Sequence, residues 1–165
     1  GRDESGWAIQ LAEQVVHMLR GKLPHLRQPW NLVIVDDDIG GPYPAPSRDP
    51  LISALRAAGV DLSVNGEPPA DGATVIALFG DIRAWKGRPG YSSGAKEAVR
   101  RALEGKDADR LIIQFSHPRL AAELDADAPI LCAWGGEAVM QRAAARVLLR
   151  DVAANKAGQS TRIAL

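Results

Sequence analysis

Thr74-Val-Ile-Ala-Leu-Phe79, Arg110-Leu-Ile-Ile-Gln-Phe115 and Pro129-Ile-Leu-Cys-Ala-Trp134 decide how this chain reads. Each is a near-continuous apolar run of strand length, and helix-like stretches follow them at 95–104, 118–124 and 138–152. A strand covered on both faces loses the apolar–polar alternation of a half-exposed one. Strands that alternate with helices build a parallel sheet with helices on both sides. The expected fold is therefore α/β, a three-layer sandwich around a mostly parallel sheet of about five or six strands, flavodoxin-like or Rossmann-like. In such a sheet ligands bind beyond the carboxyl ends of the strands. Polar residues are sparse there: Asp81 and Arg83 after the first run, Ser116 and His117 after the second, and Gly135-Gly136-Glu137 behind Trp134 after the third.

Upstream, Ala8, Leu11, Ala12, Val15, Val16 and Leu19 recur at spacings of three and four, which predicts an amphipathic helix over 5–20, closed by Gly21 and Pro24. The expected organisation is a connector helix in residues 1–22 and one sandwich domain in 23–165. Asn31-Leu-Val-Ile-Val35 reads as a buried strand ending in Asp36-Asp37-Asp38. Two glycines and four prolines make 39–50 a loop, followed by a short helix at 51–58 and a strand at 60–64. Residues 87–94 read as a flexible glycine-rich surface loop, and the closing Ile163-Ala-Leu165 could supply an edge strand.

Length and composition narrow the function classes. A chain of 165 residues suits one domain with a real core. Twenty basic and twenty acidic residues cancel, so no basic face favours nucleic acid or an anionic membrane. No apolar run approaches the roughly 20 residues of a membrane span, and the polar start Gly1-Arg2-Asp3-Glu4 does not read as a signal peptide. The lone Cys132 excludes an internal disulfide and a cysteine-based zinc cage, and is as compatible with an exported protein as with a cytoplasmic one.

Three motifs invite chemistry and fall short of it. The strand ending in Asp36-Asp37-Asp38 looks like the start of a response-regulator receiver, where clustered carboxylates hold Mg²⁺. Twelve loop residues then intervene, Gly80 pushes Asp81 past its strand end, and His117 stands where a receiver has a lysine before proline. The favoured reading is carboxylates that are solvated or that accept helix-terminal N–H groups. Gly87-Arg-Pro-Gly-Tyr-Ser-Ser-Gly94-Ala-Lys96 fails a phosphate loop in its glycine spacing, at Ala95 and at Glu97. Cys132 sits inside an apolar strand, as a small buried hydrophobe rather than a nucleophile. His17, His25 and His117 are too scattered in sequence for a metal site, and His117 suits a structural hydrogen bond at a strand end. No cofactor and no metal are expected.

Three stretches, in order, carry a family resemblance: Leu111-Ile-Ile-Gln-Phe-Ser-His-Pro118, Ala128-Pro-Ile-Leu-Cys-Ala-Trp134 and the helix beginning Glu137-Ala-Val-Met-Gln-Arg-Ala-Ala144. The chain resembles, from about residue 8 to residue 150, the C-terminal α/β sandwich domain of family-three glycoside hydrolases, closer to the β-N-acetylhexosaminidase branch than to the β-glucosidase branch. The first helix looks like that family's connector from its catalytic barrel. The resemblance implies that the nucleophilic aspartate lies on the barrel, which this chain lacks. In the β-glucosidase branch a glutamate of this domain acts as acid/base; Glu67 and Glu137 are the nearest loop candidates, and no alignment singles one out.

Retaining glycoside hydrolysis needs two groups flanking one bond, with carboxyl pairs about 5–5.5 Å apart. A domain with at most one of them cannot catalyse alone, so no catalytic residue is expected here. Asp81, Arg83, His117, Trp134 and Glu137 become candidates for contact with a barrel of the same polypeptide or with carbohydrate.

Overall fold

The structure is a computed structural model and describes residues 2–42, 44, 46–104 and 109–163. Its elements in chain order are α1 (Arg2–Val15), β1 (His17–Arg20), β2 (Trp30–Asp36), α2 (Asp49–Ala57), β3 (Leu62–Val64), β4 (Ala73–Phe79), the 3₁₀ turn Ala84–Lys86, α3 (Ser93–Ala102), β5 (Asp109–Phe115), the 3₁₀ segment Pro118–Glu123, β6 (Ile130–Cys132) and α4 (Ala138–Ile163). One six-stranded sheet has the order β1-β6-β5-β4-β2-β3. All neighbours are parallel except the β1–β6 pair. The expected α/β sandwich with a mostly parallel sheet is thus the observed fold.

The core divides where the strands' alternating side chains divide. One side holds Trp30, Leu32, Val75, Phe79, Leu111, Ile113 and Phe115 beneath α1, α2 and α4. The other holds Ile76, Leu78, Ile112 and Ile130 beneath Val99 of α3 and Leu120 of the 3₁₀ segment. All seven residues of β4 are buried, which is why its sequence shows no alternation. Ala143, Ala144 and Ala145 are fully buried on α4, and their lack of bulk lets the helices and the sheet approach closely. Phe79 and Phe115 stack at 4.4 Å between centroids, 3° from parallel.

Two expectations are corrected. The helix ends at Val15 instead of running through residue 20, because His17–Arg20 pairs antiparallel with β6. The apolar spacing that extends a helix to Leu19 also suits an edge strand, and the open side of β6 supplies the hydrogen bonds. The edge strand beside β6 therefore comes from the N-terminal segment, and Ile163 of the tail is helical. Helix α4 continues to Ile163, and residues 164 and 165 lie outside the described ones. Among the described residues no helix is long and apolar enough to cross a membrane.

Candidate functional site at the carboxyl ends of the strands

Without β1, the parallel strands run β3-β2-β4-β5-β6. The chain winds outward from β2 to β3 and then restarts on the other side at β4, so the order reverses between β2 and β4. That crevice is where doubly wound sheets take ligands. Here it receives Asp36, Asp37 and Asp38 from the end of β2, and Gly80 and Asp81 from the end of β4.

Each of the three β2 carboxylates is claimed by protein groups. Arg48, at the start of α2, meets Asp36 through Nε at 2.8 Å and Nη2 at 3.0 Å. Its guanidinium also lies 3.8 Å from the centroid of the Phe79 ring. Lys86, whose side chain is only 1% exposed, donates to Asp38 Oδ1 at 2.6 Å and to the Asp81 carbonyl at 2.8 Å. Arg88 Nη2 donates to Asp37 Oδ2 at 2.9 Å, while Ser92 gives Asp37 both its N–H, at 3.0 Å, and its hydroxyl, at 2.5 Å. Ser92 is the N-cap of α3, so Asp37 accepts a helix-terminal N–H as the sequence reading favoured. Burial alone raises the Asp37 carboxyl, but the hydrogen bonds from Ser92 and Arg88 outweigh it and hold the group below the usual range.

The 87–94 segment is anchored rather than loose. Arg88 ties it to β2, Tyr91 N–H donates to Glu123 at 3.0 Å, and the Tyr91 hydroxyl meets Ser116 Oγ at 2.5 Å in the interior. Gly80 makes this possible, since a Cβ there would stand 2.5 Å from the Tyr91 ring. A cleft of about 420 Å³ opens beside the cluster, lined by Asp38, the loop prolines 42, 44 and 46, Arg83 and Trp85. Asp81 borders it. Burial, then the Asp38 charge, push its carboxyl up, and the exposed Arg83, 2.7 Å away, only partly offsets them.

Trp134 and His117 gather at the other end, where β6 meets β1. Trp134 adopts φ of 60° in a tight turn closed by Gly135 N–H to the Ala133 carbonyl at 2.6 Å. Its indole N–H donates to the Val15 carbonyl at 3.1 Å. His117 begins the 3₁₀ segment and its Nδ1 accepts the Arg119 N–H at 3.2 Å, the structural role expected of it. Glu137 is exposed, and its carboxylate folds back against Gly135. The five rim candidates therefore split: Arg83 lines the cleft with Asp81 paired to it, His117 and Trp134 share the second patch, and Glu137 lies between, against Gly135 yet near enough for its charge to act on Asp81. Glu67 is exposed in the loop after β3. Cys132 is buried, and burial raises its thiol, as suits a packing residue. Among the described residues no group of His, Cys, Asp and Glu could hold a metal ion.

Arg48, Lys86, Arg88, Ser92 and Tyr91 build the region and were not singled out from sequence, whereas Gln141 entered only as part of a motif. Gln141 opens the Gln-Arg-Ala-Ala stretch. Its Oε1 accepts the Leu51 N–H at 3.2 Å, and its Nε2 donates to the carbonyls of Ser47 and Gly136 at 2.8 and 2.7 Å. One buried amide thus joins the β6–α4 turn to the start of α2.

Several solved carbohydrate-active enzymes contain this fold over part of their length. A glycoside hydrolase family 3 β-N-acetylglucosaminidase from Paenibacillus sp. str. FPU-7 superposes with a TM-score of 0.67 and 13% identity, over 92% of this chain and 31% of the other. A β-glucosidase from Erythrobacter marinus gives 0.57 and 16%, over 91% and 29%. A β-glucoside phosphorylase bound to 2FGlc gives 0.53 and 14%, over 90% and 30%. At these identities the likeness establishes the fold. The chain spans about a third of the length of these proteins. No family model matches the sequence, and no curated protein does.

Proposed function

We propose that this chain is the C-terminal, non-catalytic sandwich domain of a family-three glycoside hydrolase of the β-N-acetylhexosaminidase type, acting on terminal β-linked N-acetylhexosamine or glucose. The observation that carries the reading is the superposition of 92% of this chain on 31% of a family 3 β-N-acetylglucosaminidase. The sequence motifs at Ser116-His117-Pro118 and Gln141-Arg-Ala-Ala144 support it independently. In this reading the nucleophile lies on a barrel of the same bacterial polypeptide, residues 1–22 lead from that barrel, and residues 23–165 form the domain. Asp81, Arg83, His117, Trp134 and Glu137 then face the barrel or its substrate.

The ion pairs at the crevice favour this over the receiver reading. A receiver keeps its carboxylates free for Mg²⁺ and phosphate, whereas Arg48, Lys86 and Arg88 already neutralise those of Asp36, Asp37 and Asp38. The purified chain is expected to leave aryl N-acetylglucosaminides and aryl glucosides intact. Measurable hydrolysis overturns the proposal. The gene offers a second check: an in-frame barrel upstream is expected, and a natural start at Arg2 removes the reading.

A further inference from the structure

The patch between β6 and β1 is built in a way that internal packing does not require. Val15 is the last residue of α1, so its carbonyl has no partner within the helix. Two rings take it: His17 through Nδ1 at 2.8 Å, and Trp134 through its indole N–H at 3.1 Å. The His117 ring meets the indole in a T-shaped contact with centroids 5.8 Å apart, and the tilted His17 ring lies at 6.2 Å. Trp134 is nonetheless 44% exposed, and both imidazoles are exposed as well.

The hydrogen bonds fix the tautomer each imidazole takes in its neutral form. A carbonyl only accepts, so His17 Nδ1 carries its proton and Nε2 is left as an acceptor. His117 Nδ1 accepts a backbone N–H, so its proton sits on Nε2 and is left as a donor. The Glu137 carboxylate adds further acceptors at the border, against Gly135. The tryptophan beside these groups is held at a positive φ, a conformation costly for a bulky side chain and enriched at functional sites.

We infer that Trp134, flanked by His17 and His117, is a binding platform for a neutral pyranose. The indole would take the apolar C–H face of the ring, His117 Nε2–H would donate to a hydroxyl, and His17 Nε2 and Glu137 would accept from others. An indole face is large, rigid and apolar with a polar edge, which suits a ligand that is greasy on its faces and hydroxylated around its rim. The choice of a sugar among ring-shaped neutral ligands rests on the glycosidase reading; the platform itself does not.

The test uses the full 165-residue chain and follows the indole N–H resonances of its four tryptophans by NMR. Methyl β-glucopyranoside and N-acetylglucosamine are the probes, and mannitol, which has hydroxyls but no ring face, is the control. The Trp134 resonance is expected to move saturably with at least one pyranoside while that of Trp85 stays in place. Trp134→Asn tolerates the positive φ and removes the face, so it should keep the folded spectrum and weaken binding at least tenfold, read from backbone amides near residue 117. Should that variant unfold, Trp134→Gly carries the same test, and His117→Ala should weaken binding severalfold. No saturable response at tens of millimolar sugar, an equal response to mannitol, or unchanged binding by Trp134→Asn overturns the inference. Each of those failures leaves the two-domain reading to its own tests by hydrolysis and gene structure.

Discussion

The same rim of the sheet carries two patches that treat their polar atoms in opposite ways. At the crevice between β2 and β4, three carboxylates meet Arg48, Lys86 and Arg88, and the charges are consumed within the protein. At the β6–β1 end, the exposed His17 and His117 spend one nitrogen each on the backbone beside a half-exposed indole. The crevice has the position expected of an active site and the electrostatics of a buckle. The edge has an unremarkable position and the chemistry of a contact. Position in a fold says where a site can form; whether polar groups are satisfied internally says whether one has.

The largest effect expected to break this contrast comes from Lys86→Ala. It strips Asp38 of its buried partner, and removing one member of a buried pair costs about 3–5 kcal/mol. Urea denaturation measures it, and a loss below about 1 kcal/mol would mean the seam behaves like surface charge. Tyr91→Phe comes next. It deletes the hydroxyl bonded to Ser116 inside the protein and should cost about 1–3 kcal/mol by the same measurement.

Asp81→Asn sharpens the contrast through pH. Burial and the Asp38 charge raise the Asp81 carboxyl above its unfolded value, so its contribution is fully present in acid and lost as pH rises through the folded value. Ionised Asp81 therefore opposes folding near neutrality. The asparagine variant should be more stable there by up to about 1 kcal/mol, with the gain vanishing in acid. Asp37 behaves oppositely. Its lowered carboxyl stabilises above the ordinary carboxylate range and loses that contribution as pH falls through its folded value. Thermal melts across an acid-to-neutral series separate the two. The smallest effect belongs to Trp134→Asn, within about 0.5 kcal/mol of the parent, because lost contacts and relieved backbone strain oppose each other.

What could be read from the sequence follows from how local each signal is. The runs ending at Phe79, Phe115 and Trp134 announce buried parallel strands because both faces are covered, and that single fact fixes the layers. The strand at His17–Arg20 was hidden, since Val16 and Leu19 extend the helical spacing and only the unpaired side of β6, over a hundred residues later, turns the segment into an edge. Asp36, Asp37 and Asp38 were visible as a cluster. Their partners were not, because Arg48 lies beyond a proline-rich loop and Lys86 and Arg88 sit after a different strand. Charge pairing across loops leaves no periodicity. Trp134 was visible as an aromatic beside two glycines, but its link to Val15 depends on where α1 stops.

That stopping point also decides how the chain's N-terminal side carries force. After Val15 the backbone enters the sheet directly as β1, and Arg20 then reaches the carbonyls of Ala121, Leu124 and Ala126 through three hydrogen bonds. A pull or twist delivered through α1 reaches the β-sheet within two residues and is braced against the turn before β6. The junction is a stiff axle rather than a leash. Anything attached ahead of α1 would hold its angle to the sandwich, and a few glycines inserted after Val15 would let that angle wander.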